Sequence, residues 1–251
     1  MKLLNFILVL AMLMAIHSPA QAQKPDADHI PAENSPISIQ PIQHGTLALS
    51  WNGISIFIDP TGGEEAFSGL SKANLILITD IHGDHMNIET LEALDTENTT
   101  LVAPQAVKER LPEKLAEKVA VLANGDITEI LDIEIRAIPM YNLPEDGDSR
   151  HPKGRGNGYI LTMGGKNVYI SGDTEDIKEM RSLNNIDVAF VCMNLPYTMD
   201  INQAAGAVLD FKPGIVYPYH YRGQDTEAFK KLVNSKNNEI EVRLRDWYAG
   251  R

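Results

Sequence analysis

The stretch Leu75-Ile76-Leu77-Ile78-Thr79-Asp80-Ile81-His82-Gly83-Asp84-His85 changes character half-way along. Its first four residues form an apolar run with the length and branching of a buried strand. Asp80, His82, Asp84 and His85 then place four metal-binding side chains within six positions, and Gly83 allows a sharp turn between them. The stretch predicts a site on a loop at the C-terminal end of a strand, where open sheets usually place their sites.

A helix is predicted directly after this loop. Asn87 has the side chain of an N-cap, Glu89 would lie in the first turn, and Ile88, Leu91 and Leu94 share one helical face. The loop is therefore fixed at both ends by regular structure.

Imidazole and carboxylate together suit a divalent metal such as zinc, manganese or iron. Alternate residues of an extended loop point the same way, so Asp80 and His82 share one side while Asp84 and His85 can face a second ion. Asp and His are also common turn residues, but two of each directly behind an apolar strand favour a metal site.

Length and composition indicate a globular protein of one large domain or two small ones. The chain has 251 residues, 43% of them hydrophobic, and a formal net charge of −12. This charge argues against nucleic-acid binding, which needs a basic surface. A small anionic substrate held by a local cationic patch remains compatible with it.

The N-terminus has the features of a secretory signal peptide over residues 1–22. Lys2 supplies the positive start, the segment from Leu3 to Ile16 is apolar, and Ala20-Gln21-Ala22 offers small residues for cleavage. The apolar segment is short for a membrane anchor. We therefore expect export to the periplasm or medium, no membrane association after cleavage, and a flexible leader over residues 23–36.

Strand hairpins dominate the first half of the chain, and strands alternate with helices in the second. Asn52-Gly53 predicts a tight turn between strands 46–51 and 54–59. In the second half, the pattern predicts a helix over 175–183 and a last strand over 240–247. This order predicts an α/β protein with two sheets and helices outside them.

The metal-binding loop resembles the signature loop of the metallo-β-lactamase superfamily, His-x-His-x-Asp-His after a strand. The similarity extends from about Ile37 to Trp247 and is greatest to metal-dependent hydrolases that include ascorbate-phosphate lactonases. It implies a single domain over residues 37–251, folded as an αββα sandwich with two mixed sheets and the metals at one edge.

The resemblance also implies the metal ligands. His82, Asp84 and His85 match the superfamily positions, whereas Asp80 stands in place of the first His. Asp173, in Gly-Asp-Thr after a strand, matches a carboxylate that bridges two metals, and His220 matches the last ligand. Asp84, Asp173 and His220 would then carry the catalytic chemistry.

A further ligand is expected shortly after Pro139, where the superfamily usually has a His. The chain has Asn142 there, and His151 lies further along a long loop. His151 is the better chemical ligand, but the loop must fold back to bring it in. The cofactor expected is zinc, as one or two ions, and the oxygen-rich first site also admits manganese or iron.

Several residues beside these positions are candidates for substrate contact or support. His44 matches a His that commonly precedes the second strand in this branch, and Asp59 is expected to orient a ligand or turn. The other candidates for substrate contact are Lys153, Arg155, Tyr221 and Arg222.

Together these features predict an exported hydrolase that uses metal-activated water on an ester, lactone, amide or phosphodiester. Its expected partner is a small-molecule substrate. The substitutions at Asp80 and Asn142 leave two alternatives: a non-catalytic binding protein on a degraded site, and an iron-dependent redox enzyme.

Overall fold

The computed structural model describes residues 24–145 and 148–249. The predicted signal peptide, residues 1–22, lies outside them. None of the described helices is long and apolar enough to cross a membrane.

Two seven-stranded sheets form the centre of the fold, and each keeps its strands in chain order. The first sheet consists of β1 (Asp28–Ile30), β2 (Ile37–Gln43), β3 (Thr46–Trp51), β4 (Ile54–Ile58), β5 (Leu75–Leu77), β6 (Thr100–Ala103) and β7 (Val119–Val121). The second consists of β8 (Ile127–Ile130), β9 (Ile133–Met140), β10 (Gly156–Met163), β11 (Lys166–Ile170), β12 (Val188–Cys192), β13 (Ile215–Tyr219) and β14 (Glu241–Val242).

Both sheets are mixed. In the first, β1 to β4 pair antiparallel and β4 to β7 pair parallel. In the second, β8 to β11 pair antiparallel and β11 to β14 pair parallel. The antiparallel half of each sheet is built from hairpins, and Asn52-Gly53 makes the predicted turn with both residues at positive φ.

One 3₁₀ helix (Glu64–Phe67) and six α-helices accompany the sheets in the described residues: α1 (Ile88–Ala93), α2 (Gln105–Lys108), α3 (Glu113–Ala116), α4 (Lys178–Arg181), α5 (Ile201–Phe211) and α6 (Thr226–Lys236). The predicted N-cap of α1 is confirmed, since the Asn87 side chain accepts a hydrogen bond from the Thr90 amide. Helix α4 is shorter than the helix predicted over 175–183, and β14 has only two residues of the strand predicted over 240–247.

Side-chain alternation divides the apolar residues between two cores. Leu75 and Leu77 of β5 face the larger core, which lies between the two sheets. Ile76 and Ile78 face a smaller core that includes residues of α1, α2 and α3. This arrangement is the predicted αββα sandwich, and the fold prediction is confirmed.

Regular structure lies within the described part of the predicted flexible leader, residues 24–36. Its residues Asp28–Ile30 form β1, which pairs antiparallel with Ile37–Ile39 at the edge of the first sheet. Ile30 is buried in the larger core, and Trp51 Nε1 donates a hydrogen bond to the Glu33 carbonyl. These contacts hold a segment whose polar composition suggests no structure.

Candidate metal centre

The candidate site lies where the C-terminal ends of parallel strands from both sheets come together. The loop after β5 carries Asp80 to His85, the turn after β11 carries Asp173, and His220 follows β13 directly. His151 reaches the same place from the long loop between β9 and β10. Asp80, His85, His151 and His220 are fully buried, and Asp173 is nearly so.

The predicted ligands fall into two neighbouring groups with ligand atoms close enough to share an ion. Asp80, His82 and His151 form the first group. His85 and His220 form the second with Asp173, and His220 also groups with Asp84 and His44. Asp173 lies between the groups, because its Oδ2 is 3.2 Å from His85 Nε2 and 3.3 Å from His151 Nε2.

The His85 ring presents a lone pair to the site. Its Nδ1 lies 2.8 Å from Asp59 Oδ2 and donates to that buried carboxylate. Thr79 fixes the same carboxylate through its amide, 2.7 Å from Asp59 Oδ1, and through its hydroxyl. Asp59 therefore orients His85 as predicted, and the Nε2 atom that faces Asp173 carries no proton in the neutral ring.

His151 has the same arrangement with a different partner. Its Nδ1 donates to Asn142 Oδ1 at 3.0 Å, and the same oxygen accepts the His151 backbone N–H at 2.9 Å. Asn142 Nδ2 donates to the Tyr197 carbonyl, which fixes the orientation of the amide. The loop thus folds back to aim His151 Nε2 into the site, and Asn142 holds the ring from behind.

These groups fit a bound cation. His82 Nδ1, His85 Nε2, His151 Nε2, His220 Nε2 and Asp173 Oδ1 are buried and lack a hydrogen-bond partner in residues 24–145 and 148–249. A buried lone pair without a donor is costly, and here such lone pairs converge from several segments. His82 Nδ1 also lies 2.5 Å from Asp80 Oδ2 without hydrogen-bond alignment. A divalent metal satisfies all these acceptors together.

Electrostatics also favour an anionic Asp173 and Asp84. In the metal-free protein, burial acts to raise the pKa of Asp173, but the charge of the His220 and His85 rings outweighs it and holds the pKa well below the ordinary value; a bound cation would supply this charge to neutral rings. Burial similarly opposes ionisation of Asp84, but the neighbouring imidazoles of His220, 3.5 Å away, and His44, 3.2 Å away, lower its pKa. Both carboxylates are therefore in the form that binds a metal.

Two glycines make room for the site. A Cβ at Gly45 would lie 2.7 Å from His220 Cδ2, so the turn between β2 and β3 can approach this imidazole only without a side chain. A Cβ at Gly156 would lie 2.9 Å from the Thr79 carbonyl and would also press against the Met140 side chain. This keeps β10 close to the loop that carries Asp80.

Two residues predicted to contact substrate form ion pairs with carboxylates of the protein. Arg155 forms two hydrogen bonds with Asp80, from Nε to Oδ1 and from Nη2 to Oδ2, each 3.2 Å long. Lys153 forms ion pairs with Glu145 and Glu179 and lies over the Tyr141 ring. Carboxylates of the protein thus neutralise both cations, and their contact with substrate stays a prediction.

The remaining predicted residues lie beside the second ligand group. His44 Nε2 is 3.2 Å from Asp84 Oδ2, and its ring packs on His220 with centroids 3.8 Å apart. Arg222 is exposed, with one guanidinium nitrogen 3.4 Å from His44 Nε2. Tyr221 donates to the Arg245 carbonyl and packs edge-on against Tyr248.

Sequence reasoning missed Tyr248, whose hydroxyl lies 2.7 Å from His44 Nδ1. It also missed Thr79 as a support for Asp59. Tyr248 is 204 positions from His44 along the chain, and its contact depends on how the C-terminal segment packs. No local pattern in the sequence could have indicated it.

Comparison with known proteins agrees with this geometry. The family model for the beta-lactamase superfamily domain matches residues 38–220, which is more than half of the chain. The chain belongs to the metallo-β-lactamase superfamily. It is 32% identical over 202 residues to a UPF0173 metal-dependent hydrolase of Pyrococcus abyssi. The aligned region covers 75% of this chain and 88% of the relative. The chain is thus a member of this family of metal-dependent hydrolases.

Solved structures show the same fold. A protein from Parabacteroides distasonis assigned as a metal-dependent hydrolase superposes with a TM-score of 0.79 at 39% identity, covering 88% of this chain and 98% of that one. The diiron β-hydroxylase CmlA of Streptomyces venezuelae gives a TM-score of 0.64 at 18% identity, covering 86% of this chain and 53% of that one. The second likeness extends to the fold alone.

Proposed function

We propose that this protein hydrolyses a small anionic substrate with water activated by two metal ions. The observation that carries the proposal is the pair of buried imidazole nitrogens, His85 Nε2 and His151 Nε2, which face the same Asp173 oxygen at 3.2 and 3.3 Å without a hydrogen bond and are acceptors when the rings are neutral. Acceptor atoms so close together need a cation between them.

Each group of residues has a defined task in this proposal. Asp80, His82 and His151 would hold the first ion. Asp84, His85 and His220 would hold the second, with Asp173 shared between them. The ions, when bound, lower the pKa of water and polarise the bond to be cleaved. Zinc suits the imidazole-rich donor set, and three carboxylates also admit manganese or iron.

The substrate could be an ester, lactone, amide or phosphodiester, and the resemblance to ascorbate-phosphate lactonases favours a lactone. Arg222 supports a negative charge on the substrate. Among the described residues it has no carboxylate partner, and it lies beside His44 and Asp84 at the second ligand group. A guanidinium in this position can bind a carboxylate or phosphate group of the substrate.

Metal analysis and a hydrolysis screen test the proposal. We expect two equivalents of zinc, manganese or iron per chain, and metal-dependent turnover of at least one lactone or ester in a panel of matched anionic and neutral substrates. Iron with oxygen-dependent turnover and no hydrolysis would favour the redox alternative. Bound metal without turnover of any kind would favour the non-catalytic binding protein.

Arg222→Gln tests the anionic substrate. We expect KM for the anionic substrate to rise about tenfold with kcat nearly unchanged, because the variant loses a contact made in the ground state. Arg110→Gln is the matched control, since Arg110 is an exposed arginine at the end of α2. Equal effects of Arg222→Gln on anionic and neutral substrates would contradict the role of the charge.

We also propose that the protein acts outside the cytoplasm, in the periplasm or medium. The charged start, the apolar segment and Ala20-Gln21-Ala22 support cleavage after Ala22. Mass spectrometry of the protein from its own host tests this. A mature chain that still begins at Met1 would contradict export by this route.

A further inference from the structure

A chain of hydrogen bonds runs from the backbone at Arg222, after β13, to the second ligand group. The Arg222 amide donates to the Tyr248 hydroxyl at 2.7 Å. The Tyr248 hydroxyl lies 2.7 Å from His44 Nδ1, and His44 Nε2 lies 3.2 Å from Asp84 Oδ2. Two side chains, Tyr248 and His44, thus connect a backbone donor to one oxygen of the predicted ligand Asp84.

The donors in this chain have one consistent direction. The Tyr248 oxygen accepts the Arg222 amide proton, and the hydroxyl donates to His44 Nδ1 when both 2.7 Å contacts are hydrogen bonds. With Nδ1 as acceptor, the neutral imidazole carries its proton on Nε2. That proton faces Asp84 Oδ2, the nearer of the two groups around Nε2, since the Arg222 guanidinium nitrogen lies 3.4 Å away and cannot accept it. The opposite tautomer would set an imidazole lone pair against a carboxylate oxygen at 3.2 Å, which is repulsive.

Backbone and ring contacts keep His44 in this orientation. Its amide donates to the Trp247 carbonyl at 3.0 Å, and its carbonyl accepts the His220 amide at 3.1 Å. Its ring packs on His220. His44 adopts the left-handed conformation, with φ of 48°, which non-glycine residues adopt only when surrounding contacts hold them there.

Asp84 needs such a partner. Its side chain is 37% exposed, whereas Asp80 and Asp173 are buried and confined by their surroundings. A half-exposed carboxylate samples several rotamers, and ordering it on metal binding costs entropy. A donor fixed at Oδ2 selects one rotamer in advance and holds this oxygen 3.5 Å from His220 Nε2, within the second ligand group.

We propose that Tyr248 and His44 are positioning residues that orient Asp84 for the second metal ion. The inference rests on the proposed two-ion function. It assigns Tyr248 a role in the metal centre through His44 and makes His44 a hydrogen-bond donor instead of a metal ligand.

Calorimetric titration of metal-free protein with Zn²⁺ tests the proposal. We expect Tyr248→Phe to lower the affinity for the second ion about 10–100-fold and to leave the first ion unaffected, as is typical when a residue that supports a ligand is removed. Tyr221→Phe is the matched control. Its phenol packs on the same Tyr248 ring and donates to the Arg245 carbonyl, outside the chain of hydrogen bonds.

Substitutions at His44 test whether this residue donates a hydrogen bond to Asp84 or binds the metal directly. His44→Ala should lower the affinity for the second ion at least as much as Tyr248→Phe does. His44→Gln, whose amide can still donate to Asp84, should recover part of the loss. The proposal would be overturned if His44→Gln bound the second ion as weakly as His44→Ala while Tyr248→Phe bound it like the wild type. That result would identify His44 as a direct ligand.

Two further outcomes distinguish this inference from the proposed function. Two ions in the wild type with unchanged second-ion affinity in Tyr248→Phe would overturn the positioning role and leave the hydrolase proposal standing. A wild type that binds a single ion would contradict the two-ion proposal itself. Equal thermal midpoints of the metal-free variants and wild type would show that the effect arises in the metal centre and not in folding.

Discussion

At the scale of single residues, the partner behind each imidazole decides which nitrogen faces the metals. Asp59 accepts from His85 Nδ1, and Asn142 accepts from His151 Nδ1. A carboxylate and an amide oxygen achieve the same result, because neither can donate to the ring. Asn142 therefore supports a ligand, although it occupies the sequence position near which the superfamily usually has one.

His151→Ala tests this assignment directly. The variant should lower the affinity for the first ion by at least about 100-fold, and Asn142→Leu should lower it about 10–100-fold, because the ring loses its fixed tautomer. Calorimetric titration with Zn²⁺ measures both. His29→Ala, at an exposed position on β1, is the control. First-ion affinity that is unchanged in His151→Ala would remove this residue from the centre.

The sequence predicts residue types at the site better than it predicts their partners. Asp80 to His85 lie within six positions, so their proximity follows from chain connectivity and the turn at Gly83. Arg155 lies 75 positions from Asp80, and no pattern indicates that the two form a pair. The sequence therefore predicts a cation at the site but not that a buried carboxylate neutralises it.

At the scale of helices and strands, hairpins were predicted accurately because their turns are local. The last strand was predicted too long for a different reason. Trp247 is buried and donates to the Pro218 carbonyl through Nε1, so the apolar character of this segment reflects the packing of a loop. Strand pairing needs a partner edge, and only Glu241–Val242 finds one beside β13.

The short strand β1 is attached to the second sheet by Asp28. Its Oδ2 accepts hydrogen bonds from Tyr217 at 2.6 Å and lies 3.1 Å from Arg243 and 2.9 Å from Arg245. Burial acts to raise the pKa of Asp28, but these partners outweigh it and lower the pKa to about 2. The cluster joins the edge strand of one sheet to β13 and to residues that follow β14.

Asp28→Asn should lower the free energy of unfolding by about 1–2 kcal/mol at pH 7, a value reduced for solvent screening of this partly exposed cluster. Because the folded-state pKa lies below the unfolded one, the stabilisation is complete above about pH 4 and is lost as pH falls towards about 2. Urea unfolding of metal-free protein between pH 7 and 3 measures the difference.

Asp26→Asn is the control for this prediction, since Asp26 is an exposed carboxylate on the same segment. It should unfold like the wild type at every pH. A difference between Asp28→Asn and wild type that stays constant down to pH 3 would mean that the ion pairs do not stabilise the fold.

At the scale of the whole molecule, both sheets change from antiparallel to parallel pairing along the chain. The parallel strands β4 and β5 of one sheet and β11 to β13 of the other bring their carboxyl ends to the same edge. Donors from four segments far apart in sequence meet there. The sandwich therefore assembles the metal centre, and the centre in turn joins the two sheets.

Metal removal should consequently destabilise the whole fold. Without an ion, the buried Nε2 atoms of His85, His151 and His220 have no hydrogen-bond partner among the described residues, and the carboxylates of Asp84 and Asp173 repel each other. Metal at 100 times its dissociation constant stabilises the folded state by about 2.7 kcal/mol per site. For a chain of this size, that corresponds to a rise in Tm of about 5–11 °C. Scanning calorimetry with EDTA and with Zn²⁺ measures the shift.

The variant His85→Ala/His220→Ala should keep the fold and lose a large part of the shift in Tm, because the second ion is then missing. An equal shift in this variant and in the wild type would place the stabilising metal elsewhere.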